Sequence, residues 1–182
     1  MVGASPPSAE FVGTPDWSRE RKTWPFEWAP YKSILGAIRT YQAHRDRGTP
    51  WSALVWRVAA LRWRIWSVLG GISLPVRCRI GGGLQMPHTN GIVINVGTVI
   101  GCNCDIYQQV TMGEMKGGCP TIGNRVFIGP GATILGAVNI GDGARIGAHA
   151  LVIEDVPANA RVYAAPSKIV IEGSPSGGQE GR

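Results

Sequence analysis

From Leu74 to Val152 large aliphatic side chains recur at steps of six: Leu74, Ile80 and Met86, then Ile94, Ile100, Ile106 and Met112, then Ile122, Ile128, Ile134, Ile140, Ile146 and Val152. Glycine follows directly at positions 81, 101, 113, 123, 129, 141 and 147. Four places after most of these aliphatics stands a small or β-branched residue, such as Cys104, Val110, Val126, Ala132, Val138 or Ala144. An α-helix repeats near 3.6 and a lone strand near 2, so a sustained period of six needs another architecture. A parallel β-helix supplies it, because short strands stack coil upon coil and each sends one aliphatic inward.

The period breaks twice. Met86 to Ile94 is two residues too long, with His88-Thr89-Asn90-Gly91 in the excess. Met112 to Ile122 is four too long and makes a loop of Glu114 to Pro120. Loops thrown out of a rigid solenoid are where sites are usually built.

Ahead of the repeat, residues 1–30 mix Pro, Gly, Ser, charge and Trp without a period and read as a loose arm. Ile34, Leu35, Ile38 and Tyr41 recur at helical spacing, and Gly48 ends that helix. Thr49-Pro50 is an N-cap and first-turn pair for a second helix over 51–69. The expected organisation is therefore an arm (1–30), a helical segment (31–70), the solenoid (71–171) and a flexible tail (172–182).

The second helix carries Trp51, Trp56, Trp63 and Trp66 beside Arg57, Arg62 and Arg64. Three arginines in so short a stretch argue against a membrane span. Two readings stay open. The Trp side packs on the domain while the arginines face water, or the helix makes peripheral contact with an anionic membrane. The net charge of +6 favours anionic partners in general.

Cys78, Cys102, Cys104 and Cys119 do not have the spacing of a zinc site, and no metal is expected. Met1 to Glu10 lacks the basic start and apolar run of a secretory signal. Reduced thiols and a cytoplasmic location are therefore expected, at the inner membrane face if the second helix touches lipid.

The run from Ile80 to Val170 resembles the hexapeptide-repeat acyltransferases, in particular the serine acetyltransferase branch and its sugar O-acetyltransferase relatives. The matching pieces are Ile80-Gly-Gly-Gly-Leu84, His88-Thr-Asn-Gly-Ile-Val-Ile94 and Gln108-Gln-Val-Thr-Met-Gly113. They continue with Ile128-Gly-Pro-Gly-Ala-Thr-Ile-Leu-Gly136, Ala144-Arg-Ile-Gly147 and Ala165-Pro-Ser-Lys-Ile-Val170. The resemblance implies an all-β solenoid wound as a left-handed β-helix, a homotrimer with clefts between subunits as sites, and acetyl-CoA as co-substrate. It does not imply a nucleic-acid partner. His88 falls where the family keeps its catalytic histidine, and a neutral imidazole can take a hydroxyl proton during attack on a thioester.

Backbone N–H groups near Gly113 would meet the developing oxyanion. Pro130, Gly131, Ala132 and Ala148 would line the pantetheine arm, and Arg145 and Lys168 would meet the nucleotide end. Ser73, Asn90 and Glu114 are the acceptor-side residues.

The chain departs from the serine branch in three places. Pro87 replaces a carboxylate before the histidine, Ser73 stands for an upstream Asp, and Gly118-Cys119 replace an Arg-His pair before Pro120. Losing charge-assisted contacts costs roughly 1.5–3 kcal/mol each, so a sugar or polysaccharide precursor is the expected acceptor. A serine O-acetyltransferase and a non-enzymatic scaffold are the competing readings. A γ-type carbonic anhydrase would need three converging histidines, and the solenoid holds His88 and His149 alone.

Overall fold

The computed structural model describes residues 13–22 and 27–166. Two helices precede the solenoid, α1 (Pro30–His44) and α2 (Pro50–Leu69). Proline opens each in its first turn, where the missing N–H leaves no helical bond unmade. Thr49 caps α2 through a full capping box: Ser52 N donates to Thr49 Oγ1 and Thr49 N to Ser52 Oγ, both at 3.2 Å. Gly48 separates the helices at φ 66°, a left-handed turn that a side chain would strain.

The described strands are two or three residues long: β1 (Arg79–Ile80), β2 (Val93–Ile94), β3 (Val99–Ile100), β4 (Asp105–Ile106), β5 (Thr111–Gly113) and β6 (Thr121–Ile122), then β7 (Phe127–Ile128), β8 (Thr133–Leu135), β9 (Asn139–Ile140), β10 (Arg145–Ile146), β11 (Leu151–Val152) and β12 (Arg161–Val162). They form three parallel sheets, β1-β3-β6-β9, β4-β7-β10-β12 and β2-β5-β8-β11. Successive coils add their strands to the three walls in turn, over about five turns.

The register follows the period of six. Ile80 pairs with Ile100 and Ile100 with Ile122, Ile106 with Ile128, and Met112 with Ile134. All the registered aliphatics from Leu74 to Val152 are buried, none more than 4 % exposed. The glycines that follow them let one coil's backbone approach the next: a Cβ on Gly81 would stand 2.6 Å from the carbonyl carbon of Gly101.

The four cysteines are free. Cys78 and Cys104 fill core positions, and burial pushes both thiols up to about 12.

α1 lays Ile34, Leu35 and Ile38 on the first coil. Arg39 fastens it by donating to the carbonyls of Ile80 and Gly81, both at 2.6 Å. A short 3₁₀ turn, Trp17–Glu20, clamps the first coil to the second. Arg19 bonds Asp105, Asn103 Oδ1 accepts from Asp16 N, and Glu20 accepts from Arg39 and from Gly83 N.

α2 packs outside α1. Trp63 Nε1 donates to Leu74 O at 2.8 Å, and Trp66 meets Trp28 at a tilt of 59° with centroids 5.8 Å apart. The helix does not divide into a Trp side and an Arg side. Trp63 and Trp66 pack inward, whereas Trp51 is 71 % exposed.

Candidate functional site

The chain turns a corner each time it leaves the wall containing β4 and enters the wall containing β5. Residues 107–110, 129–132 and 147–150 form this corner in successive coils, and the His88 loop is its first-coil version, lengthened by two residues. The corners stack through backbone bonds. Gln109 N donates to Asn90 O, Gly131 N to Gln108 O and His149 N to Pro130 O, at 2.9–3.0 Å. Gly91, Gln109, Gly131 and His149 share a positive φ of 57–73°. His88, Asn90, Pro130, Gly131, Ala132 and Ala148 are thus brought into one column.

A ladder of rings runs up the wall beside that column. His88 lies 6.5 Å from the Tyr107 ring, Tyr107 lies 5.3 Å from Phe127, and the Arg145 guanidinium sits 4.4 Å over Phe127. Arg145 is exposed and reaches the corner from β10. Tyr107 and Phe127 were not singled out from the sequence. Phe127 and Arg145 hold the same place in the repeat, directly before an inward isoleucine, and that shared register was the available signal.

His88 is exposed and borders a cavity of about 440 Å³ with Trp28, Val68, Leu69, Thr89 and Asn90. Among the described residues, no acidic side chain and no Lys or Arg lines that cavity. The end of α2 sets the loop: Thr89 Oγ1 donates to Gly70 O at 2.6 Å, and Gly91 N to Gly71 O at 2.8 Å. Among the described residues of this chain, no hydrogen bond is found to the His88 ring. Ser73, expected on the acceptor side, lines a neighbouring cavity of about 540 Å³ with Arg64 and Ser67 instead.

Gly113 is the last residue of β5, paired with Leu135, at the end of the strand away from the His88 corner. Glu114 is exposed beside it, where a turn through Lys116 and Gly117 closes on a Met115–Gly118 bridge. Lys168 lies outside the described residues. His44 bonds Thr40 O within α1, and the His149 ring lies beside Gly131. Among the described residues, no three His, Cys, Asp or Glu side chains converge as a metal site.

Residues 119–154 match the bacterial transferase hexapeptide family (six repeats). The chain carries a hexapeptide-repeat domain of the serine acetyltransferase-like kind. It is 42 % identical over 104 residues to the serine acetyltransferase of Helicobacter pylori strain J99, covering 55 % of this chain and 61 % of that protein. Among solved structures, Neisseria gonorrhoeae serine acetyltransferase in complex with serine is 32 % identical with a TM-score of 0.60, covering 77 % of this chain and 55 % of that one. A serine acetyltransferase complexed with CoA is 29 % identical at a TM-score of 0.61, covering 79 % and 58 %. The chain therefore spans between half and two thirds of the length of these relatives. The solenoid has the left-handed winding of the hexapeptide β-helix.

Proposed function

We propose that this chain is an acetyl-CoA-dependent O-acetyltransferase in which His88 is the general base. The observation that carries the reading is the corner column. It sets an exposed imidazole at the mouth of a cavity and continues upward through small residues to an exposed cation. Pro130, Gly131 and Ala148 are open to solvent on this column, where a thin pantetheine chain would run, whereas Ala132 is fully buried in the core and does not meet it; Arg145 stands where a phosphate would be met. Acetyl-CoA supplies the activated acyl group. The protein's part is to hold the acceptor hydroxyl within reach of His88, take its proton, and place N–H donors at the developing oxyanion. Gly113 lies at the end of β5 away from the His88 corner, so in this reading the site is completed by the neighbouring subunit of a homotrimer.

L-Serine is the acceptor that the relatives support, since the similar proteins are serine acetyltransferases and one is a complex with serine. The sugar acceptor expected from the sequence finds no support in those comparisons. One observation keeps a neutral hydroxyl acceptor as a second reading: among the described residues no Asp, Glu, Lys or Arg lines the His88 cavity, whereas an amino acid brings an ammonium and a carboxylate.

The test is thiol release from acetyl-CoA with L-serine against a panel of free and nucleotide-linked sugars. Turnover on serine, lost by roughly 10²–10⁴-fold in His88→Ala, is the expected result. Turnover on a sugar alone would move the acceptor to the second reading. A folded His88→Ala chain that keeps more than about a third of the rate would remove the histidine from the mechanism.

A further inference from the structure

The outer face of α2 is apolar from end to end. Trp51, Leu54, Val58, Leu61, Ile65 and Val68 follow at steps of three and four and are 47–75 % exposed. Such spacing places them in one stripe along the helix. At 1.5 Å per residue it runs roughly 27 Å. The inward face is separate, formed by Ser52, Ala59, Trp63 and Trp66. Arg57 and Arg64 flank the stripe on one side and Arg62 on the other, and α2 holds no acidic residue. Solvent-facing patches of this size mark an interaction surface in most soluble proteins.

The charge selects the occupant. Between Pro30 and Leu69 the basic residues are Lys32, Arg39, Arg45, Arg47, Arg57, Arg62 and Arg64, and the one acid is Asp46. This segment's excess of six equals the net charge of the whole chain, so the remainder sums to zero. A second copy laid along the stripe would set arginines against arginines. The stripe also runs into the candidate site, because Val68 and Leu69 border the His88 cavity. A rigid partner helix covering the stripe would close that mouth, whereas a fluid surface leaves it reachable.

We propose that α2 docks in the plane of an anionic lipid surface, its apolar stripe in the acyl boundary and Arg57, Arg62 and Arg64 at the headgroups. No described helix is long and apolar enough to cross a membrane, so the contact is peripheral. An in-plane helix with arginine borders and an indole at one end has the right chemistry for it. The His88 cavity would then open at the interface.

The full chain is sedimented with vesicles of phosphatidylcholine, with and without phosphatidylglycerol, in the absence of acetyl-CoA, so that the outcome is independent of the catalytic reading. Binding at least about tenfold tighter to the anionic vesicles is expected, from roughly 1 kcal/mol per surface arginine. It should weaken as salt shortens the screening length from about 10 Å at 0.1 M to about 3 Å at 1 M. The double variant Leu61→Ser, Ile65→Ser should melt with the wild type yet lose about tenfold in vesicle affinity, while His88→Ala binds as the wild type does. Equal partition of the wild type and the double variant would overturn the proposal. So would wild-type sedimentation as a larger assembly that the double variant dissolves, without vesicle binding, which would make the occupant a second copy.

Discussion

The two helices have similar ingredients and opposite fates. α1 buries Ser33, Ile34, Leu35, Ala37, Ile38 and Tyr41 within its 15 residues. α2 is 20 residues long, with more large apolar side chains, yet it buries Ser52 and Ala59 alone. The difference lies in layering: α1 is sandwiched between the first coil and α2, whereas α2 has the domain on one side and solvent on the other. A hydrophobic helix is therefore not by itself evidence of core. What decides is whether its apolar positions share one face, as in α1, or divide into two, as in α2.

That contrast makes its largest prediction for charge insertion. Ile38→Asp puts a carboxylate where no part of the residue meets water. An uncompensated buried charge costs several kcal/mol, against a total stability of about 5–15 kcal/mol. The variant should give no cooperative thermal transition, whereas Ile65→Asp on the open face of α2 should melt like the wild type. Equal damage from both would mean that α2's outer face is covered in the free protein. Next in size, Leu35→Ala should cost about 2–5 kcal/mol in denaturant unfolding, because α2 and the first coil cannot collapse into the void.

The join between α2 and the candidate site gives a third test. Thr89→Val removes the bond to Gly70 O and leaves that carbonyl unsatisfied, at a cost of about 1–3 kcal/mol. If the end of α2 positions the His88 loop, turnover should fall more than stability alone explains, with the folded fraction held constant by circular dichroism. Unchanged turnover would make the tether structural. Smaller again, Thr49→Ala should cost about 1 kcal/mol through loss of the capping box.

The solenoid was legible because its period states the register outright. Each aliphatic six residues from the last takes an inward place, so the excess between Met86 and Ile94 pointed directly to the His88 loop. Thr49 was legible as a cap because capping is local. The clamp of Arg19 on Asp105 and of Asp16 on Asn103 was hidden, since these partners lie more than eighty positions apart and no repeat links them. Residues 13–22, read as part of a loose arm, are held to the solenoid by those bonds. The ring ladder escaped notice because Tyr107 follows an inward isoleucine while Phe127 and Arg145 precede one; only the stacking of coils brings the three together. In α2 the arginines drew attention as a face, whereas they mark the borders of the outer stripe.

The smallest effect probes that stripe in the free protein. Leu54 is 52 % exposed and lies three residues from Trp51 and four from Val58 on the open side of α2. Leu54→Ala removes no core contact and leaves no cavity, because water already reaches the side chain. Alanine also has at least the helix propensity of leucine, so the backbone loses nothing. Unfolding should therefore shift by no more than about 0.5 kcal/mol in either direction, against the several expected for Leu35→Ala one layer inward. A loss near that of Leu35→Ala would mean that the stripe is packed in solution, and the contrast between the helices would disappear. A neutral result means that the Leu54 side chain adds no stability to the free chain, which is the condition a residue of a docking surface has to meet.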